Sequence, residues 1–251
     1  MFQLWRFYKP IAADKSHIKL KLKLLSTRDY TNLDNFVVGL LLLCGDVASH
    51  PGPVGSSESI SFIKCMVSNT QSLKSLKKVV NNDGSKALAC NLHQFQDLVY
   101  SEDMDVVCVN ETWLNESMDN SEILKDNYTI FRKDRSHNGA GGVLIAIKNA
   151  VFKSIREIPL PEQLQELEVV ATSITTFQGL KILFCSLYRP PDQDLSWVNL
   201  FNNFLDWVCE GFDNMLICGD FNYPKISWDA PVTSRGANEQ AFVEALHDPV
   251  L

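Results

Sequence analysis

Five side chains in this sequence could act together on a phosphate ester: Asn69, Glu111, Tyr188, Asp220 and Asn222. Glu111 is a hard oxygen donor of the kind Mg²⁺ takes while keeping most of its waters. Asp220 could orient or deprotonate an attacking water. The amides of Asn69 and Asn222 and the Tyr188 hydroxyl can donate hydrogen bonds to phosphoryl oxygens as charge builds on them. Together they could cleave a phosphodiester. Each also has an ordinary use. Asn69 could cap a turn, Glu111 could sit on a helix dipole, and Tyr188 could be a core aromatic before a proline turn. Asp220 and Asn222 could simply close a strand in an Asx turn. What joins them is position, because each follows directly on an apolar run.

Those runs are the elements that must hold them. Phe62 to Val67, Asp105 to Val109, Lys181 to Leu187 and Met215 to Cys218 have the length and composition of buried strands. Asp220 and Asn222 lie two apart, so in extended chain they point the same way. Tyr128 to Phe131 and Gly142 to Ile147 read as a hairpin around Ser136 to Gly141, and Leu167 to Thr175 joins Lys181 to Leu187 through Gln178-Gly179. Helices are expected from Ser72 through Lys78, over Ala87 to Tyr100, over Leu195 to Glu210 and from Asn238 to Leu246. Residues 81–85 and 224–235 read as loops. Hairpins mixed with strand-helix alternation predict two mixed sheets packed together with helices outside.

The chain has 251 residues, 45% hydrophobic and 21% charged, with a net charge of -7. That is enough chain for one large core or two small ones. Residues 1 to 35 are basic, with Arg6, Lys9, Lys15, Lys19, Lys21, Lys23 and Arg28 against Asp14, Asp29 and Asp34. The rest is therefore more acidic than the whole, which argues against a broad electrostatic grip on nucleic acid but not against an approach through a bound cation. The seven cysteines include no Cys-x-x-Cys pair, and the five histidines lack metal-ligand spacing. A reducing, intracellular setting without disulfides or a zinc site is expected.

Residues 1–59 read as a leader that packs poorly on a body of residues 60–251. Ile18 to Leu24 alternates apolar residues with Lys, which suits an exposed strand or a disordered arm. Phe36 to Cys44 is apolar but too short to span a bilayer, so no transmembrane span is expected. Asp46-Val47-Ala48-Ser49-His50-Pro51-Gly52-Pro53, after the apolar Leu40 to Gly45, resembles viral ribosome-skipping peptides and their relatives at the start of some retrotransposon reading frames. It keeps Asp46, Val47, Pro51, Gly52 and Pro53. It departs at Ala48 and His50, where that family has Glu and Asn, so it is expected to behave as a rigid linker.

The body carries a second resemblance. Asn69 in its strand-end turn, Glu111-Thr112-Trp113-Leu114, Tyr188-Arg189-Pro190-Pro191 and Gly219-Asp220-Phe221-Asn222 resemble the endonuclease/exonuclease/phosphatase superfamily. Arg132-Lys133-Asp134-Arg135, Gly139-Ala140-Gly141-Gly142-Val143 and Trp228 look like the endonuclease domain that opens the polyprotein of LINE-type, non-LTR retrotransposons. The resemblance implies a DNase I-like, four-layer α/β sandwich, Mg²⁺ dependence and DNA as partner, with no obligate protein partner. It places activity in the nucleus if genomic DNA is the target. By carry-over Glu111 would bind the metal, Asp220 would activate water, and Asn69, Tyr188 and Asn222 would hold the phosphate. Arg189 and Arg135 are the candidate phosphate or DNA contacts. The family carries a further Asp and a Ser-Asp-His on two more strands. The sequence stops at Leu251 before either, and His247-Asp248 has the reverse order, facing solvent after a predicted helix. The expected domain is thus C-terminally incomplete, and its nuclease activity is expected to be weak or absent. The alternative is a catalytically dead, retrotransposon-derived fragment serving at most as a binding or interaction domain.

Overall fold

The computed structural model describes residues 4–7, 19–22, 40–44, 62–80, 86–135, 140–177, 179–226 and 236–246. The ribosome-skipping-like segment, the 81–85 loop, Trp228 and His247-Asp248 lie outside the described residues.

Three short strands come from the leader: β1 (Leu4–Phe7), β2 (Lys19–Leu22) and β3 (Leu40–Cys44). The body then runs through β4 (Phe62–Asn69), β5 (Leu76–Val80), β6 (Lys86–Cys90), helix α1 (Asn91–Ser101) and β7 (Val106–Asn110). Next come α2 (Asn120–Ile123), β8 (Tyr128–Lys133), β9 (Val143–Lys148), β10 (Ser154–Glu157), β11 (Glu168–Thr175) and β12 (Lys181–Tyr188). Helix α3 (Leu195–Gly211), β13 (Met215–Asp220) and α4 (Ala237–Leu246) complete the described order.

The strands form two mixed sheets, ordered β1-β3-β13-β12-β11-β10 and β2-β4-β7-β9-β8, and a separate β5-β6 ladder. Alternation along the central strands makes the layers. In β12, Leu183, Cys185 and Leu187 face α3 and α4, while Ile182, Phe184 and Tyr188 face the other sheet. In β7, Val106 and Cys108 join that same inter-sheet core, while Val107 and Val109 turn to α1. Strands covered on both faces read as unbroken apolar runs, as these do. The result is the expected four-layer sandwich of helix, sheet, sheet and helix. Burial pushes the Cys65 and Cys185 thiols up, so they serve as neutral core residues.

Helix α3 buries Trp197, Val198, Phe201, Phe204, Leu205 and Val208, a stripe at three- and four-residue spacing. Asp194 caps it by accepting from the Ser196 backbone N–H at 2.9 Å. Helix α1 presents Phe95, Leu98 and Val99 in the same way.

Three expectations are corrected. The helix expected from Ser72 through Lys78 is instead a turn leading into β5, which pairs antiparallel with β6. Asn82-Asp83-Gly84 between them is a hairpin signal that outweighs helix propensity. The helix expected from Ala87 therefore starts later, at Asn91. In the leader, β2 pairs parallel with β4 and β3 antiparallel with β13, where poor packing on the body is expected. A sheet edge offers a row of unpaired N–H and C=O groups, which short alternating or apolar segments can satisfy.

Two parallel pairs place the site. β4 and β7 are joined by a crossover that includes α1, and β12 and β13 by one through α3. Parallel neighbours end at the same edge, so polar residues at their C-terminal ends gather there.

Candidate active site

Asn69 ends β4 directly opposite Asn110, and Tyr188 ends β12 directly opposite Asp220. Glu111 follows Asn110. The two sheets are joined between these ends by Asn110, which is 1% exposed and donates from Nδ2 to the Leu187 carbonyl at 2.8 Å. Gly219 lets β13 come close to β12, because a Cβ there would overlap the Leu187 carbonyl oxygen.

At the centre, Asn69 Nδ2 donates to Glu111 Oε1 at 2.9 Å and to Asp220 Oδ2 at 2.7 Å. The two carboxylate oxygens are thus no farther apart than the sum of those distances, well within the roughly 8 Å that a cation and a water need. Asn69 Oδ1 accepts from the Gln71 backbone N–H at 3.1 Å, which fixes the amide's orientation. Both of its N–H groups are used on carboxylates. Asn69 is therefore a bridge between acids, where the sequence implied a phosphate donor.

Asp220 Oδ1 accepts from the Asn222 N–H at 3.0 Å, closing an Asx turn. Asn222 uses one amide N–H on the Arg189 carbonyl at 2.6 Å, and among the described residues the other has no partner. The Tyr188 hydroxyl is pushed up to about 12, by burial first, then by the charges of Glu111 and Asp220, against an opposing pull from Arg135. It stays a neutral donor.

The loops above are laced by backbone bonds. Ser72 N–H donates to the Glu111 carbonyl at 2.8 Å, Leu73 to Thr112 at 3.0 Å, and Trp113 to Gly141 at 2.9 Å. Gln71, Ser72, Glu111, Trp113 and Asn222 all take positive φ. A side chain with a Cβ rarely adopts that conformation, and it concentrates at functional sites. Asn91 supports the first loop, donating to the Ser72 carbonyl at 2.8 Å and to Ser75 Oγ at 2.7 Å.

Arg135 and Arg189 part company. Arg135 is paired with Glu168 at 2.6 Å and lies 5.7 Å from the Tyr188 ring centre, with about a third of its side chain exposed at the cleft. Glu168 also accepts from the Gly142 N–H. Arg189 is 2% exposed and donates to the carbonyls of Pro191, Phe221, Asn222 and Gln193, with its guanidinium 4.0 Å from the Tyr223 ring centre. Its assignment as a phosphate or DNA contact is corrected. Burial and committed donors make it a clamp on the Asp220 loop.

A family model described as Endonuclease/Exonuclease/phosphatase family matches residues 66–246. The chain belongs to this family. Among solved structures, an AP endonuclease from Archaeoglobus fulgidus is similar at 17% identity and a TM-score of 0.43, over 62% of this chain and 65% of that one. The Xenopus laevis APE2 catalytic domain gives 15% and 0.42, over 61% of each chain. The human Nocturnin catalytic domain, solved with a bound sulfate anion, gives 14% and 0.40, over 61% of this chain and 59% of that one. The chain spans less than two thirds of the length of each. No curated protein matches it.

Within this family member, Asn110, Asn91 and Glu168 are the residues that sequence reasoning missed. Asn110 had a readable signal, an amide closing a fully apolar strand. The other two act through partners far away in the chain. The donor set suits a hard divalent cation, since two carboxylates share one cleft. Among the described residues no cluster of three or more His, Cys, Asp or Glu forms a protein-only metal cage. No helix among them is long and apolar enough to cross a membrane.

Proposed function

We propose that this domain is a Mg²⁺-dependent phosphodiesterase that nicks DNA, of the kind carried by non-LTR retrotransposons. The observation that carries the reading is the Asn69 amide bridging Glu111 and Asp220 at the shared edge of two parallel strand pairs. Two carboxylates held that close repel, and the arrangement is worth its cost where a cation or a proton is to be managed between them.

Glu111 would hold the metal, which when bound would neutralise charge on the phosphoryl group. Asp220 accepts the proton of the attacking water. The neutral Tyr188 hydroxyl and the free N–H of Asn222 donate to phosphoryl oxygens as negative charge grows. Asn69 fixes the spacing of the two acids. Arg135 supplies positive charge at the cleft margin. The motif wording Tyr188-Arg189-Pro190-Pro191 and the resemblance of residues 46–53 to retrotransposon leaders support the retrotransposon assignment.

The test is conversion of supercoiled plasmid to open circles by the purified protein in Mg²⁺, with a chelator control. Glu111→Gln and Asp220→Asn should each reduce nicking by about 10²–10³-fold without lowering the melting temperature. Absence of Mg²⁺-dependent nicking, or nicking indifferent to both substitutions, overturns the reading.

A further inference from the structure

Trp113 lies two residues beyond Glu111 with φ at +51° and 38% of its surface exposed. Both features act against stability. The left-handed conformation is strained for a residue with a Cβ. The exposed part of the indole forfeits the burial that makes Trp useful to a core. Its neighbours allow no escape, because Thr112 and Leu114 are buried and the Trp113 N–H is tied to Gly141. Among the described residues no ring or cation stacks on it. Gly or Asn would fit this backbone better, so the ring's use lies outside the fold.

The surroundings favour an anionic partner with flat rings. Exposed Lys74 sits on the same rim, bonded to Asn115 Oδ1 at 3.0 Å. Arg135 stands at the cleft beside Tyr188. Of the nearby acids, Asp134 is paired with Arg132 at 3.4 Å and Glu168 with Arg135, while exposed Glu116 stands in reach of Asp134 and of Lys74 beside it. An exposed aromatic face on the loop after Glu111, with Lys74 and Arg135 on the surrounding loops and two carboxylates that a cation could bridge, suits a polynucleotide strand.

We propose that Trp113 is a stacking platform for a nucleobase close to the phosphate held between Glu111 and Asp220, and that the DNA is taken where that base is unstacked. This rests on reading the cleft as a phosphodiesterase site. In an intact duplex both faces of every base are covered by neighbours, so the indole has nothing to lie against. A single-stranded or locally open segment offers a free face.

The experiment is fluorescence anisotropy with the full chain in EDTA, using a short labelled single-stranded DNA and its duplex as separate probes. The native protein should prefer the single strand. Trp113→Gly should weaken single-strand binding roughly 5- to 150-fold, the span of one lost base–aromatic stack. It should leave duplex binding unchanged and the melting temperature equal or higher. Trp113→Phe should keep most of the binding. Three outcomes overturn the proposal: no single-strand preference in the native protein, native-like binding by Trp113→Gly, or loss of binding together with a fall in melting temperature. Because EDTA prevents metal-dependent cleavage, binding is read separately from hydrolysis. Trp113-dependent binding without nicking removes the phosphodiesterase and keeps the stack. Nicking with Trp113-indifferent binding removes the stack alone.

Discussion

The two halves of the cleft are held by different means. On the side of β4 and β7, the loops carrying Asn69 and Glu111 are fixed by backbone-to-backbone bonds and by residues in the left-handed region, Gln71, Ser72, Glu111 and Trp113. On the side of β12 and β13, the Asp220 loop is wrapped round the buried guanidinium of Arg189. That cation sits on Tyr223 and near Trp197, in an aromatic group that also includes Phe201, Phe221 and Phe242. The first half stores strain to aim a carboxylate. The second spends hydrophobic burial and charge-assisted bonds to immobilise one. The metal ligand and the general base proposed for these two halves have different needs. The former must adjust as a cation arrives, and the latter must not move relative to the attacking water.

Substitutions can break each half in its own way. Arg189→Leu leaves four carbonyls, one buried and three part-buried, without their donor and should cost about 3–5 kcal/mol, read by chemical denaturation. A cost under about 1 kcal/mol would show that the clamp is decorative. Gly219→Ala drives a methyl into the Leu187 backbone, which cannot yield as a side chain can, and about 1–3 kcal/mol should be lost. The strained half should respond with the opposite sign. Glu111→Gly relieves the left-handed backbone and removes a charge facing Asp220, so stability should rise by about 1 kcal/mol while nicking disappears. If it melts lower than the native chain, the strain described for this half is absent.

Alkali gives a smaller and finer comparison. Tyr188 in the cleft and Tyr223 under Arg189 are each pushed from 10 up to about 12, chiefly by burial. A raised value favours the neutral form in the fold. Their contribution is therefore complete below pH 10 and is lost as pH rises through 12, where the unfolded chain has already released the protons. Unfolding free energy measured across that window should fall, and Tyr188→Phe and Tyr223→Phe should each flatten the fall. Equal slopes in all three proteins would remove both tyrosines from the account.

The layers and the site's outline were legible because buried strands announce themselves as apolar runs and stop abruptly at polar residues. Asn69, Glu111, Tyr188 and Asp220 stand at such stops, and parallel pairing brings them to one edge. Arg189 was misread because its partners, at Phe221 and Asn222, lie more than thirty residues away, so only the fold shows that its charge is spent. The β5–β6 ladder was missed for a local reason. Lys77-Lys78-Val79-Val80 fits either period over so short a length, and the decision lay with the Asn-Asp-Gly hairpin signal in the sequence beyond it. Positive φ at Glu111 and Trp113 had no sequence signal at all, since neither residue type favours it.

The bond from Asn110 to the Leu187 carbonyl has a mechanical meaning. Asn110 precedes Glu111 in one sheet, and Leu187 lies opposite Gly219, next to Asp220, in the other. The gap between the two carboxylates is therefore gauged at its base by the reach of this amide, as a shim sets the clearance between two plates. Drift of either sheet is corrected at that joint before it reaches the reacting atoms. Asn69 calibrates the acids themselves and Asn110 the strands beneath them, so Asp at position 110, setting oxygen against oxygen, would prise the plates apart.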